Sequence, residues 1–187
     1  MTYYRIPHIM SSLVCLAFVY FTNISHGSDE STFEFEFTES ETAGIPEGWM
    51  MNHTYPGEVS LVVKKEQEKE VGIVRIASIP DSERPIGILR TEGIEKQAPL
   101  YRLVLEARGE GLIEFGFSLS SGERWLASKL SRRLPLEGTW TIYEVTLEIP
   151  EFFSKGDAEE LEVTTLTPSI YMWNGHAEIK SLTIEKQ

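Results

Sequence analysis

Apolar and polar residues alternate along most of the chain after residue 27. Three phenylalanines alternate with two glutamates over 33–37, and longer alternating stretches cover 101–108, 113–119 and 143–149. Alternate side chains of an extended chain point to opposite faces, so this pattern predicts strands with one apolar and one polar face. Shorter stretches of the same kind lie at 59–64, 71–77, 86–91, 161–166 and 177–185.

Glycine and proline residues separate these stretches. They include Pro56-Gly57, Gly109-Glu110-Gly111, Ser121-Gly122, Pro135 and Pro168. Together with the alternation, they predict about nine or ten short strands in a two-sheet sandwich or a barrel. Antiparallel sheets of this type pack one face on the core and leave the other in solvent.

One charged segment, residues 64–70, lacks this alternation. Its lysines and glutamates are good helix formers, but the segment has no apolar face and predicted strands flank it. We predict a solvated hairpin tip here, and a short helix is the alternative.

The first 27 residues have the organisation of a secretory signal peptide. One basic residue, Arg5, precedes an apolar run over 11–21, and small residues follow at Ser25 and Gly27. A membrane-spanning helix needs about 20 apolar residues, which makes an uncleaved anchor the less favoured alternative. The leader contains Cys15, the only cysteine, so residues 28–187 would form one thiol-free domain. We therefore expect a secreted or periplasmic protein.

The composition excludes several classes of partner. The 187-residue chain has a formal charge of −12, which disfavours nucleic acids and anionic membrane surfaces. Four Trp, nine Phe and seven Tyr provide too much buriable area for a disordered acidic chain. We therefore expect a folded domain that binds no nucleic acid and, once the leader is cleaved, no membrane.

Three landmarks carry a resemblance to a known family. The alternating strand 33–37 is followed by Gly48-Trp49, a strand that starts with Gly138-Thr139-Trp140 is closed by Pro150, and an apolar strand over 179–184 ends the chain. At this spacing, residues 32–185 resemble the carbohydrate-binding-module jelly rolls of the galactose-binding-like superfamily. The resemblance implies an all-β fold, an antiparallel two-sheet jelly-roll sandwich of about nine or ten strands. It also implies sugar binding on the concave sheet or in the edge loops.

The resemblance leaves a structural calcium ion open. Such modules commonly have two aspartates at the start of the last strand, near the ion, whereas this chain has Glu178-Ile179-Lys180 there. Glu34 or Glu36 together with Glu178 would offer oxygen ligands, and Lys180 beside them disfavours the ion. We predict no other cofactor.

Exposed aromatic residues are the main candidates for sugar binding, because the C–H face of a sugar packs on a flat ring. Trp125 follows a hydrophilic turn and stands next to Arg124. Tyr171, Trp173 and Asn174 combine two rings and an amide in a polar stretch before the last strand. The structural alternatives are a sheet-edge lid for Trp125 and a hairpin whose rings fold back onto the sandwich. We interpret Trp49 and Trp140 as packing residues.

Arg102 and Glu106 are further candidates. They share one face of a predicted strand with Arg108, and on a concave sheet they would bind sugar hydroxyls. Cross-strand ion pairs on a solvated face are the alternative explanation.

The sequence contains no motif typical of an enzyme. Outside the leader it has two histidines, His53 and His176, and it lacks a His-Glu-x-x-His motif, a nucleophile elbow and a phosphate-binding glycine loop. We therefore predict non-catalytic carbohydrate binding. The alternatives are a structural or adhesion domain docking on a protein partner, and a small secreted glycoside hydrolase or lyase. The enzyme would need two facing acids or an Arg–His–Tyr cluster in one cleft.

Overall fold

The computed structural model describes residues 31–38, 44–52, 57–66, 69–79, 84–154 and 160–187. The predicted leader, residues 1–27, and His53 lie outside these ranges. Every regular element within them is a strand, so the all-β prediction is confirmed. In this part of the chain, no helix has the length and apolar character needed to cross a membrane.

The described residues form thirteen strands, of which four contain only two residues. The nine longer strands agree with the predicted number. In chain order the strands are β1 (Thr32–Glu36), β2 (Trp49–Met51), β3 (Gly57–Glu66), β4 (Lys69–Ser78), β5 (Ile86–Arg90), β6 (Ile94–Glu95), β7 (Leu100–Ser121), β8 (Arg124–Leu130), β9 (Leu134–Pro135), β10 (Thr141–Glu148), β11 (Phe152–Phe153), β12 (Leu161–Glu162) and β13 (Thr165–Lys186).

Eleven of the strands form one hydrogen-bonded sheet that is folded into two layers, and β11 pairs only with β12. In the first layer, β10 pairs with the first half of β7, which pairs with the second half of β13. This half of β13 then pairs with β1 and β4, and β4 pairs with β3. In the second layer, β8 and β9 flank the second half of β7, and the first half of β13 pairs with β5 and β6. The edge strand β2 pairs with β5. All these pairs are antiparallel.

The two 22-residue strands, β7 and β13, cross from one layer to the other. They bend together where Gly109 and Gly111 lie beside Gly175, and the register between the strands shifts at Trp173 to His176. A side chain at Gly109 would collide with the backbone oxygen of His176, so glycine permits the close approach. The predicted turn at 109–111 is therefore wrong, because these residues form a corner inside one strand.

Proline at position 168 also lies inside a strand rather than in a turn. Pro168 stands opposite Phe117 of β7, and on its other side the pairing of β13 changes from β6 to β5 between Leu166 and Ser169. A proline lacks the backbone N–H group that is needed to hydrogen-bond with a second neighbouring strand. Pro168 lies between the segments of β13 that pair with β6 and β5, so no such hydrogen bond is required of it there.

The core lies between the two layers. Alternate residues of β7 point inward and are fully buried in both halves of the strand, for example Leu103, Leu105, Ile113 and Phe115. The rings of Tyr101 and Phe117 lie 5.4 Å apart, edge to face, although they belong to opposite halves of the strand. This contact shows that the two halves of β7 face each other across the core.

The charged segment 64–70 lies where β3 turns into β4. The two strands pair from Gly57 and Ser78 as far as Glu66 and Lys69. The predicted hairpin is therefore confirmed, and residues 67 and 68 at its tip lie outside the described ranges.

Candidate functional site

A groove of about 450 Å³ lies on the outward face of the second layer. We call it the aromatic groove. The residues that line it are Asn52, Pro85, Leu89, Glu114, Ser118, Trp125, Ser128, Leu130, Tyr171 and Trp173. Three of them, Trp125, Tyr171 and Trp173, were selected from the sequence as ring platforms. The structure thus brings Trp125 together with Tyr171 and Trp173, from which it is separated by more than 40 positions in the chain.

Small side chains and large rings alternate across this face, and the difference in their size creates the groove. Ser118 and Ser128 stand opposite each other on β7 and β8, and both contribute to the lining. Gly87 on β5 stands opposite Tyr171, and a side chain at this glycine would collide with the tyrosine ring. The ring of Tyr171 therefore lies directly against the backbone of β5.

Trp125 projects from one side of the groove and is 59% exposed, the most exposed tryptophan that the structure describes. It lies opposite Ser120, next to a register shift in the pairing of β7 with β8. Such a bulge changes the direction in which neighbouring side chains point. Its neighbour Leu126 points into the core and is buried.

Tyr171 and Trp173 share the outward face of β13, because Ile170 and Met172 between them are fully buried. The prediction of a polar stretch before the last strand missed that this stretch is itself part of a central strand. Alternation along that strand places both rings on the same side. The predicted alternative, in which the rings fold back as a hairpin, does not describe this segment, because its residues pair with β5 and β7.

Two charged residues hold the indole of Trp173. Its Nε1–H group donates a hydrogen bond of 2.9 Å to Oε2 of Glu114, and Nε of Arg133 donates one of 3.3 Å to Oε1 of the same carboxylate. The Arg133 guanidinium also lies 3.6 Å from the centre of the indole ring. Glu114 lines the groove, whereas Arg133 does not. The ring is thereby fixed before any ligand arrives.

Arg124 and Asn174 lie near these rings but do not line the groove. Arg124 is exposed at the start of β8, opposite Ser121. Asn174 is exposed at the corner of β13 and has a positive φ of 48°, a conformation that asparagine tolerates better than most residues. Its position is explained by the bend of the strand, and its predicted binding role stays a prediction.

Arg102 and Glu106 lie on the outward face of the first layer, away from the aromatic groove. Arg102 donates hydrogen bonds of 2.7 and 2.6 Å to Glu144 and one of 2.8 Å to Glu185. These bonds raise the pKa of Arg102 above its ordinary value, and the bond from Arg102 lowers the pKa of Glu144. Glu106 pairs with Lys180 at 3.6 Å. The structure thus places both residues in the cross-strand ion pairs that the sequence offered as the alternative, and a role in binding stays a prediction.

Glu178, the residue considered for calcium, is held by two arginines. Nη2 of Arg75 donates to Oε1 at 2.6 Å, and Nε and Nη2 of Arg108 donate to Oε2 at 2.8 and 2.5 Å. Among the described residues, no group of three or more His, Cys, Asp or Glu side chains is placed to hold a metal ion. The calcium ion stays a prediction.

Several groove residues were not found from the sequence. Glu114, Ser118 and Ser128 occupy ordinary polar positions of alternating strands, and Asn52 and Leu89 come from distant strands or strand ends. The only available signal was the low side-chain volume of Gly116 and Ser118 in a stretch of large residues. That signal is too common in strands to identify a site.

Comparison with known proteins identifies the fold. No model of a known protein family matches this chain, and no curated protein matches it. Among solved structures, the family 11 carbohydrate-binding module from Clostridium thermocellum, in complex with a β-1,3-1,4-mixed-linked tetrasaccharide, is similar with a TM-score of 0.52. It is 11% identical, and the match covers 82% of this chain and 95% of the module.

Two other similar structures have lower scores. The C-terminal CBM6 of LamC from Zobellia galactanivorans has 16% identity, a TM-score of 0.47 and coverage of 83% and 99% of the two chains. A family 29 carbohydrate-binding module has 11% identity, a TM-score of 0.45 and coverage of 81% and 87%. At these identities the similarity concerns the fold alone. The chain has a jelly-roll sandwich like that of carbohydrate-binding modules, as the resemblance implied.

Proposed function

We propose that this protein binds carbohydrate without catalysis, and that the aromatic groove is its binding site. The observation that supports this proposal best is the convergence of Trp125, Tyr171 and Trp173 on one hollow. Alternation along β13 brings Tyr171 and Trp173 together, but nothing in the sequence order requires Trp125 to meet them. The family 11 module with the similar fold was solved with a bound tetrasaccharide, which adds support by analogy.

The chemistry of the groove suits an uncharged sugar chain. Aromatic rings offer flat apolar surfaces, while the hydroxyls of Ser118 and Ser128 and the carboxylate of Glu114 offer donors and acceptors for sugar hydroxyls. The groove is lined by no lysine or arginine among the described residues. A handful of such contacts is consistent with a Kd of about 10 μM, which corresponds to roughly −7 kcal/mol.

Docking on a protein partner remains the rival function. It would use a continuous exposed apolar patch of more than a few hundred Å². The exposed large apolar residues of the described chain are instead distributed over several strands and one strand end. They are Met50, Val62, Val63, Ile79, Leu100, Trp125, Ile142 and Phe152.

Titration with soluble polysaccharides of plant, algal and microbial origin tests the proposal. Trp125→Ala and Trp173→Ala should each weaken binding about 30-fold, roughly 2 kcal/mol, as expected when a ring at the centre of a site is removed. Phe152→Ala removes a ring that is 46% exposed and lies outside the groove, and it should bind as the parent protein does.

Either of two results would contradict the proposal. One is the absence of binding across the whole polysaccharide panel, and this result would favour the docking function. The other is undiminished binding by both tryptophan variants, which would move the site away from the groove. Thermal melting of each variant separates loss of binding from loss of folding.

We also propose that the protein acts outside the cytoplasm, after export through the leader at residues 1–27. Sequencing the amino terminus of the protein recovered from the growth medium or periplasm would test this. A new terminus close to residue 28 is expected, whereas an intact Met1 in a membrane fraction would indicate an anchor.

A further inference from the structure

A second hollow lies at the corner where β7 and β13 pass from one layer to the other. Its volume is about 250 Å³, and we call it the corner pocket. The lining residues are Arg108, Gly109, Glu110, Gly138, His176 and Glu178. It shares no lining residue with the aromatic groove. The two hollows are therefore separate sites on the molecule.

The corner pocket contains polar groups that the fold does not use. In the part of the chain that the structure describes, the side chains of His176 and Glu110 make no hydrogen bond or ion pair, and Nη1 of Arg108 makes none either. His176 and Glu110 stand opposite each other on β13 and β7. The pocket thus presents one guanidinium nitrogen, one imidazole and one carboxylate toward the same space.

Arg108 is held in a fixed orientation, which is unusual for a long side chain at a surface. Two of its nitrogens donate to Glu178, whose side chain is 10% exposed, and its guanidinium lies 4.8 Å from the centre of the Trp140 ring. Trp140, interpreted from the sequence as a packing residue, therefore packs on this arginine. A fixed donor loses little conformational entropy when a ligand binds, so its hydrogen bond contributes more to affinity.

The balance of charge points to a neutral ligand. Glu110 and Glu178 oppose Arg108 within the pocket, and Arg75 supplies a second cation to Glu178 from β4. An anionic ligand would be repelled by both carboxylates, and a metal ion would be repelled by the guanidinium of Arg108. Hydroxyl groups both donate and accept, and they match a pocket in which donors and acceptors alternate.

We propose that the corner pocket is a second binding site, which takes a single uncharged sugar unit or a similar small polyol. The pocket is too small for an oligosaccharide, since sites for drug-sized ligands begin at about 300 Å³. Arg108 and His176 donate to ring hydroxyls, and Glu110 accepts from them. Few contacts are available, so the affinity lies in the millimolar range.

Gly138 offers a way to close the pocket without disturbing the fold. A Cβ atom built at this position meets no atom within 4 Å, and its backbone does not have a positive φ. Gly138→Leu should fill the pocket while the protein keeps its melting temperature. His176→Ala provides a second variant that removes an exposed group with no partner among the described residues.

The test is an NMR titration of the full chain with methyl β-D-glucopyranoside, methyl β-D-galactopyranoside and methyl α-D-mannopyranoside. At least one of them should shift the imidazole signals of His176 and the amide signals of Gly109 and Gly138. Gly138→Leu should abolish the amide shifts at Gly109, and His176→Ala should weaken them at least threefold. Trp125→Ala, in the aromatic groove, should leave them unchanged.

Three outcomes overturn the second site. These are no shift at the corner with any of the three glycosides, shifts that persist fully in Gly138→Leu, and corner shifts that disappear in Trp125→Ala. A protein that binds polysaccharide in the groove but shows no corner shift refutes only the second site. A protein that shows corner shifts but no polysaccharide binding refutes only the proposed function of the groove.

Discussion

The outward faces of the two layers are built by the same two strands, yet they are chemically opposite. In the first layer, β7 and β13 present Arg102, Glu106, Arg108 and Glu178, which pair with one another and with residues of neighbouring strands. In the second layer the same strands present Glu114, Ser118, Tyr171 and Trp173 around a hollow. Long charged side chains cover a sheet by reaching across it. On the second layer, small residues beside rigid rings leave a groove that a ligand can occupy.

The difference follows from the size and charge of side chains at equivalent strand positions. A face of alternating acids and bases satisfies itself through cross-strand pairs. A face with Ser118 and Ser128 next to aromatic residues leaves a hollow, because the small side chains do not fill the space between the rings. Apart from the corner pocket at its end, the first face should therefore contribute mainly to stability, and the second face to binding.

The largest effect is expected from Glu178, the least exposed charged group of the first face. Glu178→Gln should lower the free energy of unfolding by about 2 to 3 kcal/mol, because Arg75 and Arg108 lose their shared anion. The value is below that of a fully buried pair, since the arginine side chains are 53% and 35% exposed. Urea unfolding of the parent protein and of Glu178→Gln measures this difference in the free energy of unfolding.

The matched control for this prediction is Glu144→Gln, which breaks an ion pair on the same face whose carboxylate is exposed. Exposed pairs contribute little, so this variant should unfold close to the parent protein. Equal losses of unfolding free energy in Glu178→Gln and Glu144→Gln would contradict the prediction. They would show that burial of the carboxylate does not determine how much an ion pair of the first face contributes to stability.

A smaller effect is expected at Gly87, where the second face depends on the absence of a side chain. Gly87→Ala should push the ring of Tyr171 aside, because the added methyl group would collide with it. Overpacking of this kind costs about 1 to 2 kcal/mol of unfolding free energy. Polysaccharide binding in the groove should weaken as well, because the displaced ring is one of its platforms.

The effect of Gly87→Ala can be separated from general strand damage by repeating it in a Tyr171→Ala background. The stability loss should then be much smaller, because the colliding ring is gone. An undiminished loss would show that the backbone oxygen of Ile170, which is also close to the added group, dominates.

Much of this fold could be predicted from the sequence, because period-two alternation records which side of a strand is buried. Alternation over 101–108 and 113–119 predicted both halves of β7 correctly. It could not predict that they form one strand, since glycines at 109 and 111 occur in turns and corners alike. What decides is the close approach of Asn174 and Gly175, more than 60 residues away, at the register shift between β7 and β13, which local patterns do not record.

The candidate site could be predicted in part, for a related reason. Trp125, Tyr171 and Trp173 stood out as aromatic residues in polar surroundings, and the structure brings them together. Alternation shows that Arg102 points away from the core, but not which layer it belongs to. That assignment depends on the bend at the corner, so the sequence could not show that Arg102 and Glu106 lie on the face opposite to the rings.

The smallest effect is expected from the exposed pair of Arg102 and Glu144, and it should appear mainly as a dependence on pH. The hydrogen bonds from Arg102 hold the pKa of Glu144 below its ordinary value of 4.5 in the folded protein. The folded state therefore binds fewer protons than the unfolded state in the interval between the two pKa values. The stability from this pair is complete above pH 4.5 and is lost as the pH falls through the lower, folded pKa.

Glu144→Gln measures this contribution directly. The difference in urea midpoint between parent and variant should be small near neutral pH. It should disappear as the pH falls below 4.5 and through the lower, folded pKa of Glu144, because the parent carboxylate then becomes protonated as well. Glu148→Gln is the control, because Glu148 lies on the same face of β10 and no arginine among the described residues pairs with it. If Glu148→Gln showed the same pH dependence, the effect would come from the net charge of the chain. If only Glu144→Gln showed the pH dependence, the stability would come from the specific contact between Arg102 and Glu144. Even the weakest ion pair of the first face would then contribute through its own partner, as expected for a face whose charged residues pair with one another.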